Sequence, residues 1–146
     1  MKRTYMFFSK RSNYGIQALV FLYKFKDKKK FFKSKEIADR LGIKPSYLTK
    51  ILQDLVKEGV LVSTTGPEGG FALPEENEDI NLLQIYSFLE NKDLLSDCVM
   101  GWKPCNANNP CPLHELWDQY KINILEKLRE TTIRKASHTF WPQFEY

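Results

Sequence analysis

Three cysteines and one histidine fall within 17 positions of this chain, as Cys98-x6-Cys105-x5-Cys111-x2-His114. Thiolates bind soft and borderline metals, and imidazole suits iron and zinc. Four such donors would complete the coordination of one metal centre. The gaps of six and five residues are wider than the about two to four residues that separate paired cysteines in structural zinc sites. That spacing favours a cluster, whose ligands are spread over more than one iron. A histidine ligand would raise the reduction potential relative to four thiolates. An odd number of cysteines argues against a closed disulfide framework, and clustered thiols in a reducing compartment serve metal binding or redox sensing. The plain alternative is three unrelated thiols and a solvated surface His114.

These donors depend on the elements around them. Pro112 to about Ser137 reads as one long helix with Cys111 at its start, where the dipole and free N–H groups favour a thiolate. His114 then points along the same helix face. Cys98 and Cys105 approach from a loop, Asn91 to Pro110, rich in Asn and Pro. The helix carries an apolar stripe of Leu113, Trp117, Tyr120, Ile124 and Leu128. About 26 helical residues span roughly 39 Å, longer than a small domain can cover. Such a stripe is expected to pack against a second copy of the chain. The aromatic tail Phe140 to Tyr146 is expected to pack back on protein.

The first third of the chain has a different character. Residues 1–50 hold 14 Lys and Arg against 3 Asp and Glu, a net of +11, whereas residues 51–146 carry a net of −7. A basic part joined to an acidic remainder points to one face made for a polyanion. Tyr14 to Phe25 has helical periodicity. Ser34 is the expected N-cap of a short helix, Lys35 to Arg40. Gly42 supplies a tight turn, and Pro45 opens a helix running to Glu58 and closed by Gly59. In that helix Leu48, Ile51, Leu52, Leu55 and Val56 share one arc. Ser46, Tyr47, Lys50, Gln53, Asp54 and Lys57 occupy the other. Val60 to Thr65 and Phe71 to Leu73 read as the arms of a hairpin around Gly66-Pro67-Glu68-Gly69-Gly70. A short helix, Asn81 to Leu89, follows. Helix, tight turn, helix and glycine-tipped hairpin form a winged helix-turn-helix, whose second helix enters the major groove. Candidate DNA contacts are Lys44, Ser46, Tyr47, Lys50 and Gln53 on that helix, with Thr65, Gly66 and Gly69 on the wing.

On these residues the chain resembles the Rrf2 family of bacterial transcription regulators, from about Ser9 to Leu128. The carriers are Tyr14-Gly15, Ile37-Ala38, Pro45-Ser46-Tyr47-Leu48 with Ile51-Leu52, the wing string Gly66 to Phe71, and Cys111-Pro112-Leu113-His114-x-Leu116-Trp117. The resemblance implies a homodimer in which the long helices cross and the third helix and wing bind a palindromic operator. It also implies an iron–sulfur cluster, [2Fe-2S] ahead of [4Fe-4S], with Cys98, Cys105, Cys111 and His114 as ligands. In nitric-oxide-sensing members an Asp before the first-helix Tyr supplies a ligand; the matching residue here is Asn13, a poor iron ligand. Other departures are the first cysteine gap, one residue longer than usual, and Lys44, Thr49 and Thr65 where Ser, Glu and Arg are typical.

The resulting expectation is a mainly α protein with a small β-hairpin wing. Residues 1–80 form a winged helix-turn-helix domain, 81–110 a short helix and Cys-bearing loop, and 111–146 a dimerisation helix and tail. No apolar run approaches the roughly 20 residues of a membrane helix, and the apolar stretch near Met1 is too short for a signal peptide, so the chain reads as cytoplasmic. The expected partners are double-stranded DNA and a second copy, with no small-molecule substrate. Two rivals are a cluster-free regulator using a thiol switch, zinc or a protein partner, and a protein-interaction module that does not bind DNA. Catalysis is not expected, because His114 and His138 have no nucleophile partner on a shared element except Cys111.

Overall fold

The computed structural model describes residues 8–90, 95 and 97–139. The expected packing of the aromatic tail and most of the Met1 to Phe8 stretch lie outside those residues. Helix α1 runs Lys10–Lys24, α2 Ser34–Leu41 and α3 Pro45–Lys57. Strands β1, Val62–Thr64, and β2, Gly70–Ala72, form the wing, paired antiparallel with Val62 opposite Ala72 and Thr64 opposite Gly70. Helix α4, Leu82–Leu89, precedes the cysteine loop, and α5, His114–Glu130, and α6, Ile133–Ala136, follow it. The described residues are therefore mainly α with one β-hairpin, as the periodicity predicts. No helix among the described residues is long and apolar enough to cross a membrane.

The core forms where the amphipathic helices turn their apolar arcs together. Leu48, Ile51, Leu52 and Leu55 of α3 are fully buried against Ala18, Leu19, Phe21 and Leu22 of α1, Ile37 and Ala38 of α2, and Ile85 and Leu89 of α4. The turn between α2 and α3 closes through Gly42 at φ +67°, which lets the Ile43 N–H reach the Ala38 carbonyl at 2.9 Å. A side chain would be strained there, as expected for a glycine C-cap. The wing is tied down by Phe32, buried at 1% exposure, whose N–H and carbonyl both bond to Phe71. Lys33 reinforces the tie, donating its Nζ to the Gly66 carbonyl at 2.7 Å.

Two local expectations change. Ser34 does not cap α2; it is the first helical residue, Lys33 precedes it, and the Glu36 carboxylate accepts the Lys33 N–H at 2.8 Å. The Ser34 hydroxyl instead accepts from Thr49 Oγ1 at 2.7 Å, linking α2 to α3. The long helix is also two helices. It stops at Glu130, giving 17 residues and about 26 Å. Thr131 turns extended, and the segment pairs edge to edge with the start of α4: Leu82 N–H to Thr131 carbonyl at 2.9 Å, Ile133 N–H to Ile80 carbonyl at 3.0 Å. The Thr132 side chain then caps α6 by accepting the Lys135 N–H. Three consecutive β-branched residues, Thr131, Thr132 and Ile133, weaken the helix there, and burying Ile133 completely gives the broken geometry its driving force.

Candidate thiol site and nucleic-acid interface

From Asp97 to Pro110 the cysteine loop is held by specific hydrogen bonds. Asn106 folds an Asx turn, its Oδ1 accepting the N–H groups of Asn108 and Asn109 at 2.9 and 3.0 Å. Asn109 Nδ2 returns to the Pro104 carbonyl at 2.8 Å. This turn sets Cys105 and Cys111 on one side, with the Cys111 N–H directed at Cys105 Sγ at 3.4 Å. On the other side, Trp117 of α5 donates its indole N–H to the Asp97 carbonyl at 2.8 Å and so anchors Cys98. Asn106, Asn109 and Trp117 thus build the site. The asparagine string carried a turn signal, but its partners do not follow from spacing.

The three sulfurs lie within 4.8 Å of one another, with Cys98 and Cys111 at 3.5 Å and unbonded. His114 Nδ1 stands 3.3 Å from Cys105 Sγ, and its Nε2 stands 3.4 Å from Asp118 Oδ2. The three predicted thiols are therefore brought together, and His114 lies against one of them, Cys105. Cys111, however, is not at a helix start: α5 begins at His114, three residues later. Burial pushes the Cys111 thiol up rather than the helix dipole drawing it down. Partial burial also pushes Cys98 up, but the backbone amides of Trp102 and Met100 and the neighbouring thiols outweigh it, leaving Cys98 at about 7. In reduced metal-free protein, alkylation of Cys98 by iodoacetamide should be slow below that pH, where the thiol keeps its proton. It should rise through about 7 and precede Cys111. Mass spectrometry of a pH series checks this, and earlier labelling of Cys111 would contradict the assignment.

Of the candidate DNA-contacting residues, Lys44, Ser46, Tyr47, Lys50, Gln53, Thr65 and Gly66 are exposed. Tyr47 is braced from behind by Tyr14, ring centroids 5.9 Å apart and nearly perpendicular. Gly69 is different. It is buried, its N–H closes the turn onto Gly66, and a Cβ there would lie 2.5 Å from the Thr64 carbonyl oxygen. It shapes the wing and has no surface to offer DNA. Thr49 also turns away from the outer face, bonding Ser34 and the Pro45 carbonyl.

Along α5 the apolar stripe divides. Leu128 is buried in its own chain, whereas Leu113 and Tyr120 are exposed and Trp117 and Ile124 half-buried. Leu116 and Ile122, outside the predicted stripe, are exposed too. Val99, Leu113, Leu116, Trp117 and Tyr120 line a groove of about 210 Å³ with almost wholly apolar walls.

The model of the Rrf2 family, described as an iron-dependent transcriptional regulator, matches residues 8–139. The chain belongs to the Rrf2 family. It is 32% identical over 131 residues to a protein of Aquifex aeolicus described as an HTH-type transcriptional regulator, covering 88% of this chain and 90% of that one. It is 29% identical over 98 residues to the regulator IscR of Sodalis glossinidius, covering 67% of this chain and 59% of IscR. Among solved structures, T. potens IscR superposes with a TM-score of 0.68 at 26% identity, over 90% of this chain and 85% of that one. CymR, the global cysteine regulator of B. subtilis, superposes at 0.72 with 22% identity, over 91% and 97%, which is a likeness of fold. As an Rrf2 member the chain is a DNA-binding transcription regulator with a winged-helix fold, and not an enzyme.

Proposed function

We propose that this Rrf2 chain binds a palindromic operator as a homodimer, with an affinity set by an iron–sulfur cluster or the redox state of Cys98, Cys105 and Cys111. The observation that carries the reading is the gathering of three sulfurs within 4.8 Å, with the His114 imidazole beside them. That donor set fits a soft metal or cluster, which Cys98, Cys105, Cys111 and His114 would hold. A cluster bound there would supply one-electron chemistry and sensitivity to oxidants that side chains lack. Residues 81–110 and the start of α5 would then be the sensor. Lys44, Ser46, Tyr47, Lys50, Gln53, Thr65 and Gly66 would contact DNA, and the open face of α5 would pair with a second copy.

The compactness of the triad favours one second reading. Zinc–sulfur bonds of about 2.3 Å place tetrahedral sulfurs roughly 3.8 Å apart, close to what the three thiols span. Anaerobic purification with iron, sulfide and zinc analysis separates the two. Iron with sulfide, lost on Cys105→Ser, Cys98→Ser or Cys111→Ser, supports the cluster. Stoichiometric zinc without sulfide replaces it, and protein that takes up neither metal on reconstitution refutes both.

A further inference from the structure

Helices α1, α3 and α4 meet at one point. Gly15 lies there without a side chain: a Cβ would stand 2.4 Å from Leu89 Cδ1 and 3.4 Å from Ile51 Cγ2. Beside it, Arg11 of α1 makes two directed bonds. Its Nε donates to the Leu89 carbonyl at 3.1 Å, and its Nη2 to Asp54 Oδ2 of α3 at 2.5 Å. Leu89 is the last residue of α4, and the next residue, Glu90, is clamped onto the start of α1. One Glu90 oxygen accepts the Ser9 N–H and the hydroxyls of Ser9 and Ser12, and Ser12 is fully buried. In the sequence, Cys98 follows Glu90 by eight residues.

We infer that Arg11 is a positioning residue for DNA binding, which holds α3 through Asp54 and ties it to the end of α4 where the cysteine segment begins. Its guanidinium is suited to this because a planar fork can serve two acceptors at fixed angles, which a lysine ammonium on a flexible stem does not. Arg11 therefore fixes α3 to the scaffold without touching a base. A displacement of Leu89 at the end of α4 moves its carbonyl and, through Arg11, the angle at which α3 presents Tyr47 and Lys50. This last step rests on the sensor reading above; the positioning of α3 does not.

The test is operator affinity across a salt series, on a fragment selected from sheared genomic DNA, for Arg11→Met, Arg11→Lys, Asp54→Asn and the Arg11→Met/Asp54→Asn double variant. Each single substitution should weaken binding about 10-fold, and the double should be no weaker than either. Salt slopes should be unchanged. Asp54→Asn removes a negative charge from the helix proposed to face DNA, so charge alone would tighten binding, and weakening reports lost position. A slope reduced by about 1 in Arg11→Met, with full affinity in Arg11→Lys, would make Arg11 a phosphate contact and overturn the inference. So would additive effects in the double variant. If Arg11→Met does not fold, Asp54→Asn and Arg11→Lys still decide. The affinity ratio between anaerobic and air-oxidised protein tests the coupling. A wild-type ratio near one would refute the sensor reading alone, and a wild-type ratio retained by Arg11→Lys would refute the link through Arg11.

Discussion

Gly70→Ala is expected to destabilise the protein by about 3 kcal/mol or more and to disorganise the wing. Gly70 sits at φ +146°, and a Cβ there would stand 2.3 Å from the Phe32 carbonyl oxygen and 2.5 Å from its carbon. Neither atom can move easily. Phe32 is buried and exchanges two backbone hydrogen bonds with Phe71, at 3.0 and 2.8 Å. An alanine must break that pairing or push the hairpin off the body. Gly66→Ala is the control: its φ is +98° with nothing within 4 Å of an added Cβ, so only the conformational strain of about 1–2 kcal/mol applies. Urea midpoints of the two variants, followed by operator binding, check this. Equal midpoints would mean that β2 does not lie against Phe32 as described.

In the homodimer proposed above, the double substitution Leu116→Glu/Tyr120→Glu is expected to leave the fold intact, give a monomer and lower operator affinity about 1,000-fold. Both side chains are more than half exposed, so the chain itself loses little packing. Two carboxylates in an apolar interface would instead meet their own copies across a two-fold axis, unpaired and desolvated. A dimer on a palindrome gains about 10²–10⁴ over one half-site, because the second contact is intramolecular; a monomer forfeits that gain. Light scattering and gel shifts on full and half operators measure both effects. A double variant that stays dimeric would place the interface elsewhere.

What the sequence makes legible is what short-range physics decides. The apolar arc of α3 and the turn at Gly42 follow from periodicity and from backbone freedom, and both stand as expected. The gathering of Cys98, Cys105 and Cys111, with His114 against Cys105, was also legible, because three thiols and an imidazole in one short stretch can fold onto one another. The end of α5 was not. Its periodicity runs on past Glu130, and only the pairing of Thr131 to Ile133 with Ile80 and Leu82, some 50 residues earlier, breaks the helix. Likewise Leu128 lies on the predicted stripe yet faces its own chain, since contact with α4 rather than spacing decides which side is open. Gly69 looked like part of a thin wing tip; its burial comes from the carbonyls of Thr64 and Thr65, which no local pattern reveals.

The edge-to-edge pairing at Thr131 to Ile133 has a consequence for how the protein is born. Ile133 is fully buried in the same core as Leu19 of α1 and Ile51 of α3, and Arg134 bonds Asp79 at 2.9 Å. Chains emerge from the ribosome N-terminus first and fold as units become complete. The helices proposed to meet DNA are made early, but their core lacks its last fully buried side chain until residue 133 has emerged. By then every thiol of the cysteine segment has already been made. A nascent copy therefore cannot complete its DNA-binding core before it carries the residues that would govern it.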